Sequence, residues 1–190
     1  MKDIGLVEVV NRLEKGGLFL QKPYIIVSTI ILLITLSSII FVVVNNSSKP
    51  IKSPENIELK ELSNGNKIQV NFSEKPTVFV FFTSWCPYCN DDAPKIVSLY
   101  EKYKDRVNIY GINLLYQDDL SEVKQYVEDY NINYPVLLDE TGDLHKHFGE
   151  QAFPALFFMN SDGKVMDQII GSTDFDAIES SFKIFIKNYD

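Results

Sequence analysis

Cys86 and Cys89 are the only two cysteines in the chain, and Pro87 and Tyr88 separate them. Thiols three positions apart on a helix share a face and can close a small disulfide ring. Thiol–disulfide exchange begins with attack by a thiolate, and the free N–H groups and positive dipole end of a helix stabilise a thiolate. In that chemistry the first cysteine attacks a disulfide and the second resolves the mixed disulfide. The pair has duller readings: an inert buried pair, a permanent staple, or half a zinc site. A staple here would close so little chain that it would stabilise almost nothing.

The flanking residues say what must position the pair. Residues 77–82 are Thr, Val, Phe, Val, Phe and Phe, β-branched or aromatic with no alternation. That predicts a strand buried on both faces. Asp91, Asp92, Ala93, Ile96, Val97, Leu99 and Tyr100 fit a helix by their spacing. Pro87 suits its first turn, where a missing N–H costs nothing. The pair is therefore expected where a central strand hands over to a helix, with Cys86 as the exposed nucleophile at the helix mouth. Pro94 is expected to kink that helix.

The remaining chain predicts a domain built around this unit. Leu59 to Leu62 and Lys67 to Phe72 flank an Asn64-Gly65 turn and read as a hairpin. Val107 to Leu114 reads as a strand, and residues 119–130 as an amphipathic helix carrying Leu120, Val123, Tyr126, Val127 and Tyr130. Pro135 to Asp139 is a short strand and Gly142 to Phe148 a short helix. Ala155 to Asn160 and Lys164 to Ile170 form a second hairpin about Gly163. Residues 174–188 close as a helix with Phe175, Ile178, Phe182, Phe185 and Ile186 on one face. Strands alternating with helices predict an α/β fold with helices on both faces of a sheet. His145 and His147 are the only histidines. They are expected on solvated surface, with a two-Cys, two-His zinc site as the sharper alternative.

Residues 24–44 carry no charge. Twenty-one helical residues span roughly 31 Å, against about 30 Å of hydrocarbon. An uncleaved transmembrane anchor is expected there, after a cytoplasmic segment 1–23 and before a linker 45–58. Arg12, Lys15 and Lys22 precede the run, and Lys49 and Lys52 follow it, a weak bias toward an inside N-terminus. Residues 1–48 hold 4 of the 18 basic and 3 of the 26 acidic groups, which leaves residues 49–190 with 14 and 23, a net of −9. That charge argues against nucleic acid as a partner.

The motif Trp85-Cys86-Pro87-Tyr88-Cys89, the Asn90-Asp91-Asp92-Ala93-Pro94 that follows it, Phe153-Pro154-Ala155 and the Asp162-Gly163-Lys164 turn resemble the membrane-anchored thioredoxin-like proteins of the TlpA/ResA type. The resemblance covers about residues 55–189. It implies a thioredoxin-like fold, a central mixed sheet flanked by helices, on residues 59–190. It implies an oxidoreductase on the outer side of the cell membrane, held by a single span and needing no cofactor. Its substrates would be exported cysteine-containing proteins such as apocytochrome c, and a membrane thiol–disulfide electron donor would recharge it. The alternatives are a disulfide-introducing oxidase and a zinc-holding module. Pro154 would be a cis-proline facing the cysteines, presenting the Phe153 backbone to substrate. Trp85, Pro87 and Tyr88 would complete the substrate surface. Thioredoxin itself has a buried aspartate six residues before its first cysteine, where Val80 stands here. ResA-type proteins carry a glutamate three residues after the second cysteine, where this chain has Asp92. Asp92 would take the Cys89 proton during resolution; its plainer reading is a first-turn acid on the helix dipole. Peroxidase chemistry is set aside on the expectation that a Thr-x-x-Cys context is missing at Cys86.

Overall fold

The structure, a computed structural model, describes residues 24–38, 53–54 and 56–189. The chain divides into two units, Met1–Lys49 and Pro50–Asp190. In the first, residues 24–38 form helix α1, and every residue in it is exposed. Ser28, Thr29, Thr35 and Ser38 each donate a hydroxyl bond to the carbonyl three residues back, at 2.8–3.0 Å. Among the described residues no helix is long and apolar enough to cross a membrane. The expected span continues through 39–44, which lie outside the described residues, as do the expected segment 1–23 and residues 45–52 and 55 of the linker.

The second unit is organised by one strand. In β3 (Thr77–Phe82) all six residues are buried. Val78, Val80 and Phe82 enter one core with Ile96, Leu99, Val123, Ile178 and Phe182. Phe79 and Phe81 enter the other with Ile112, Leu137, Phe148 and Phe157. A strand with a core on each side has no solvated face, so it shows no polar alternation.

Around it stand β1 (Glu58–Glu61), β2 (Lys67–Gln69), β4 (Asn108–Asn113), β5 (Val136–Leu138), β6 (Ala155–Met159) and β7 (Val165–Ile170). The described strands make one sheet in the order β2-β1-β5-β4-β3-β6-β7. β3, β4 and β5 run parallel and the other pairings are antiparallel, so the sheet is mixed. Flanking it are α2 (Pro87–Tyr103), α3 (Leu120–Asp129), α4 (Asp143–His147) and α5 (Phe175–Tyr189). Gly65 has φ +72°, the left-handed conformation that the Asn-Gly turn requires.

One local expectation changes, at Phe175, and the structure adds two local details. Helix α2 runs unbroken past the exposed Pro94, and Ser98 Oγ donates to the Pro94 carbonyl at 2.9 Å. Phe175 is exposed at the start of α5, ahead of the buried Ile178, Phe182, Phe185 and Ile186. A 3-10 turn, Leu115–Gln117, joins β4 to α3.

Candidate active site

Cys86 is the N-cap of α2, and its carbonyl accepts the N–H groups of Cys89 and Asn90, both at 3.1 Å. The strand-to-helix handover is thus where the sequence places it. The expected exposed nucleophile is corrected: Cys86 is only 4% exposed. Its thiol donates to the Phe153 carbonyl at 3.7 Å, and the Phe153–Pro154 peptide is cis. The Trp85 ring meets the Phe153 ring edge-on at 5.4 Å. The sulfur therefore lies against the 153–154 loop. The rim beside it, Trp85, Pro87 and Tyr88, is open to solvent.

Cys89 is 2% exposed. Burial pushes its thiol well above the ordinary range; the Cys86 sulfur and the Asp92 carboxylate push the same way, against a backbone hydrogen bond at Thr83. Tyr126, reaching in from α3, donates its hydroxyl to the Cys89 carbonyl at 2.9 Å and stacks on Phe82 at 5.0 Å.

Asp92 is buried, as a proton acceptor for Cys89 would be, but it does not stand alone. Its Oδ1 accepts from Lys95 Nζ at 2.7 Å and Ser172 Oγ at 2.5 Å. Lys95 also donates to the Thr173 carbonyl at 2.6 Å. Oδ2 is buried with no hydrogen-bond partner among the described residues. The first turn of α2 holds no acid, so the dipole reading of Asp92 fails: it lies in the second turn.

The expectation for His145 is also corrected, while that for His147 holds. His145 is buried, its ring 5.9 Å from that of Phe81. Its Nε2 faces the Gln151 carbonyl at 2.9 Å, which can only accept, so Nε2 carries the proton. Nδ1 then accepts from the Tyr116 hydroxyl at 3.0 Å. Helix α4 turns Leu144 and His145 inward, while His147 is exposed. Both His145 nitrogens have protein partners. Among the described residues no group of three or more His, Cys, Asp or Glu could hold a metal ion, so the zinc reading has no support.

Sequence reasoning missed Lys95, the Tyr126 hydroxyl and Asp118. The last accepts hydrogen bonds from Ser84 beside Cys86. Lone polar residues in loops and on amphipathic helices carry no signal that names a distant partner.

This arrangement can run dithiol–disulfide exchange. The Cys86 thiolate attacks one sulfur of a substrate disulfide; that S–S bond breaks, and the leaving sulfur takes a proton. Cys89 loses its proton and attacks the Cys86 sulfur, and the second substrate sulfur leaves and is protonated. The substrate gains two electrons and two protons, and Cys86 and Cys89 end as a disulfide. The reverse sequence oxidises a substrate dithiol.

Residues 52–168 match the AhpC/TSA family. The chain is similar to the thiol–disulfide oxidoreductase ResA of Bacillus thuringiensis subsp. konkukian, with 31% identity over 63% of this chain and 69% of that protein. It is also similar to ResA of Bacillus subtilis, with 25% identity over 84% of this chain and 88% of that protein. The crystal structure of StoA from Bacillus subtilis superposes with a TM-score of 0.60 at 24% identity, over 68% of this chain and 97% of that one, and so shares its fold. With two apposed cysteines on a strand–helix junction and these relatives, the chain belongs to the AhpC/TSA family as a thioredoxin-like thiol–disulfide oxidoreductase of the ResA type.

Proposed function

We propose that this chain is a membrane-anchored reductase of disulfides in exported proteins, working outside the cytoplasm. What carries the reading is the Cys86–Cys89 pair at the strand–helix junction of a chain similar to ResA. The direction follows the ResA-type resemblance, which implies an anchored domain recharged by a membrane electron donor. A dithiol becomes a strong oxidant when its reduced form is stabilised. Cys89, raised by its burial, stays a thiol at neutral pH, so it adds no second stabilised thiolate to the reduced pair. Apocytochrome c is one substrate of the right class, and a membrane thiol–disulfide electron donor would restore the dithiol.

The anchor rests on α1 and the sequence that continues it. Its apolar side chains are exposed on all sides, and four of its hydroxyls are satisfied within the helix. Lipid favours both features, because it offers no water to unsatisfied polar groups. The test is to quench growing cells in acid, denature them and tag free thiols with a mass-adding alkylating agent. The proposal expects a mostly dithiol pool. A pool almost wholly disulfide, turning dithiol only when reduced substrate is supplied, would mean an oxidase.

A further inference from the structure

The segment between β4 and α3 lies against the turn that delivers Cys86. Its Asp118 carboxylate accepts four hydrogen bonds. Oδ2 takes the Ser84 N–H at 2.7 Å and Asn113 Nδ2 at 2.8 Å. Oδ1 takes the Ser84 hydroxyl at 2.5 Å and the Asp119 N–H at 2.9 Å. The preceding residue, Gln117, accepts the Trp85 indole N–H on its carbonyl at 3.0 Å. Two consecutive residues, Gln117 and Asp118, thus hold the two consecutive residues before Cys86.

The turn is also held by the Trp85–Phe153 ring contact and the Cys86–Phe153 hydrogen bond, but its own backbone bond is weak. The Cys86 N–H reaches the Thr83 carbonyl at 3.4 Å, a long bond. The Thr83 hydroxyl is buried with no partner among the described residues. Hydrogen bonds to a carboxylate are short and strong compared with neutral ones. Asn113, buried at the end of β4, ties the same carboxylate to the sheet.

We infer that Asp118 is a positioning residue for exchange: it fixes the Ser84–Trp85 turn and through it the line along which Cys86 meets a disulfide. It touches neither substrate nor sulfur in this role. The inference rests on the exchange chemistry and is independent of the direction of electron flow.

Asp118→Asn keeps the shape but sets an amide N–H₂ against donors that need an acceptor. The readouts are the rate of reaction of the reduced domain, residues 50–190, with dithiobis(nitrobenzoate) from pH 5 to 9, and the melting temperature. This domain is a separate unit with its own cores. A displacement of about 1 Å in a reacting group can cost on the order of a hundredfold. The expected result is a rate lowered by roughly tenfold to a hundredfold with a displaced pH profile. Glu122→Gln, which removes an acid from the same surface, should leave rate and profile unchanged. The inference is overturned if Asp118→Asn lowers only the melting temperature, or if Glu122→Gln slows the reaction equally. Should Asp118→Asn fail to fold, Ser84→Ala, which deletes one of the four bonds, should still slow the reaction several-fold; an unchanged rate overturns the inference.

Discussion

The two cysteines share a motif but not an environment, and the roles proposed for them rest on that difference. Cys86 sits at the helix mouth beside an open rim, and Cys89 lies one turn further in with the Tyr126 hydroxyl on its carbonyl. Cys89→Ser should therefore accumulate mixed disulfides with partner proteins, and Cys86→Ser should accumulate few. Equal trapping by the two variants on non-reducing gels would contradict the assignment. The raised thiol of Cys89 has a consequence for stability. Its folded-state value lies above its ordinary 9.0, so the stability it contributes is complete below about pH 9 and is lost as pH rises beyond it. Tyr126 and Tyr134, both raised by burial from 10.0, add to the loss above about pH 10. The melting temperature of the reduced protein should fall steadily from pH 8.5 to 11, and a flat curve would count against the buried assignments. At this scale the motif was legible because its chemistry is local. The partners of Asp92 were not: Ser172 and Thr173 lie some 80 positions away from it and Lys95. His145 looked solvated because a short polar helix does not announce which side packs inward. One expectation was a misreading of the residues, since Thr83 stands three before Cys86 and supplies the Thr-x-x-Cys context said to be missing.

Among the elements, those with strong periodicity or uniform burial emerged as expected. β3, α2, α3, α5 and the two hairpins follow from spacing, turn residues and apolar runs. The 3-10 turn at Leu115–Gln117 did not, because three residues carry no period. The burial of Cys86 did not either, because the carbonyl against it comes from Phe153, 67 positions along the chain. The contact between α2 and α5 is another long-range feature. Glu179 on α5 meets Lys102 of α2 and its own Lys183, and Tyr103 donates to it at 3.3 Å. The Lys102 hydrogen bond, then that of Lys183, hold its carboxyl down at about 2 against an ordinary 4.5. A depressed acid contributes stability above its unfolded value and loses it as pH falls toward the folded one. The urea midpoint should therefore drop between pH 4.5 and 2. Glu179→Gln should start lower at pH 6 and fall less over that range. Parallel curves for the two proteins would show that the contact carries no pH-dependent stability.

The whole molecule couples an acidic redox domain, net −9 over residues 49–190, to a segment that is uncharged from 24 to 44. If that segment anchors the domain outside the membrane, protease added to intact cells should remove the domain, and full protection would contradict the topology. The central claim concerns energy rather than place: this dithiol donates electrons. It is tested most directly by the equilibrium between the Cys86–Cys89 pair and a buffered series of reduced and oxidised dithiothreitol at pH 7. Thioredoxin-type reductants lie near about −270 mV and strong oxidants near about −120 mV. A value close to the first is predicted for this protein. A value close to the second would contradict the account.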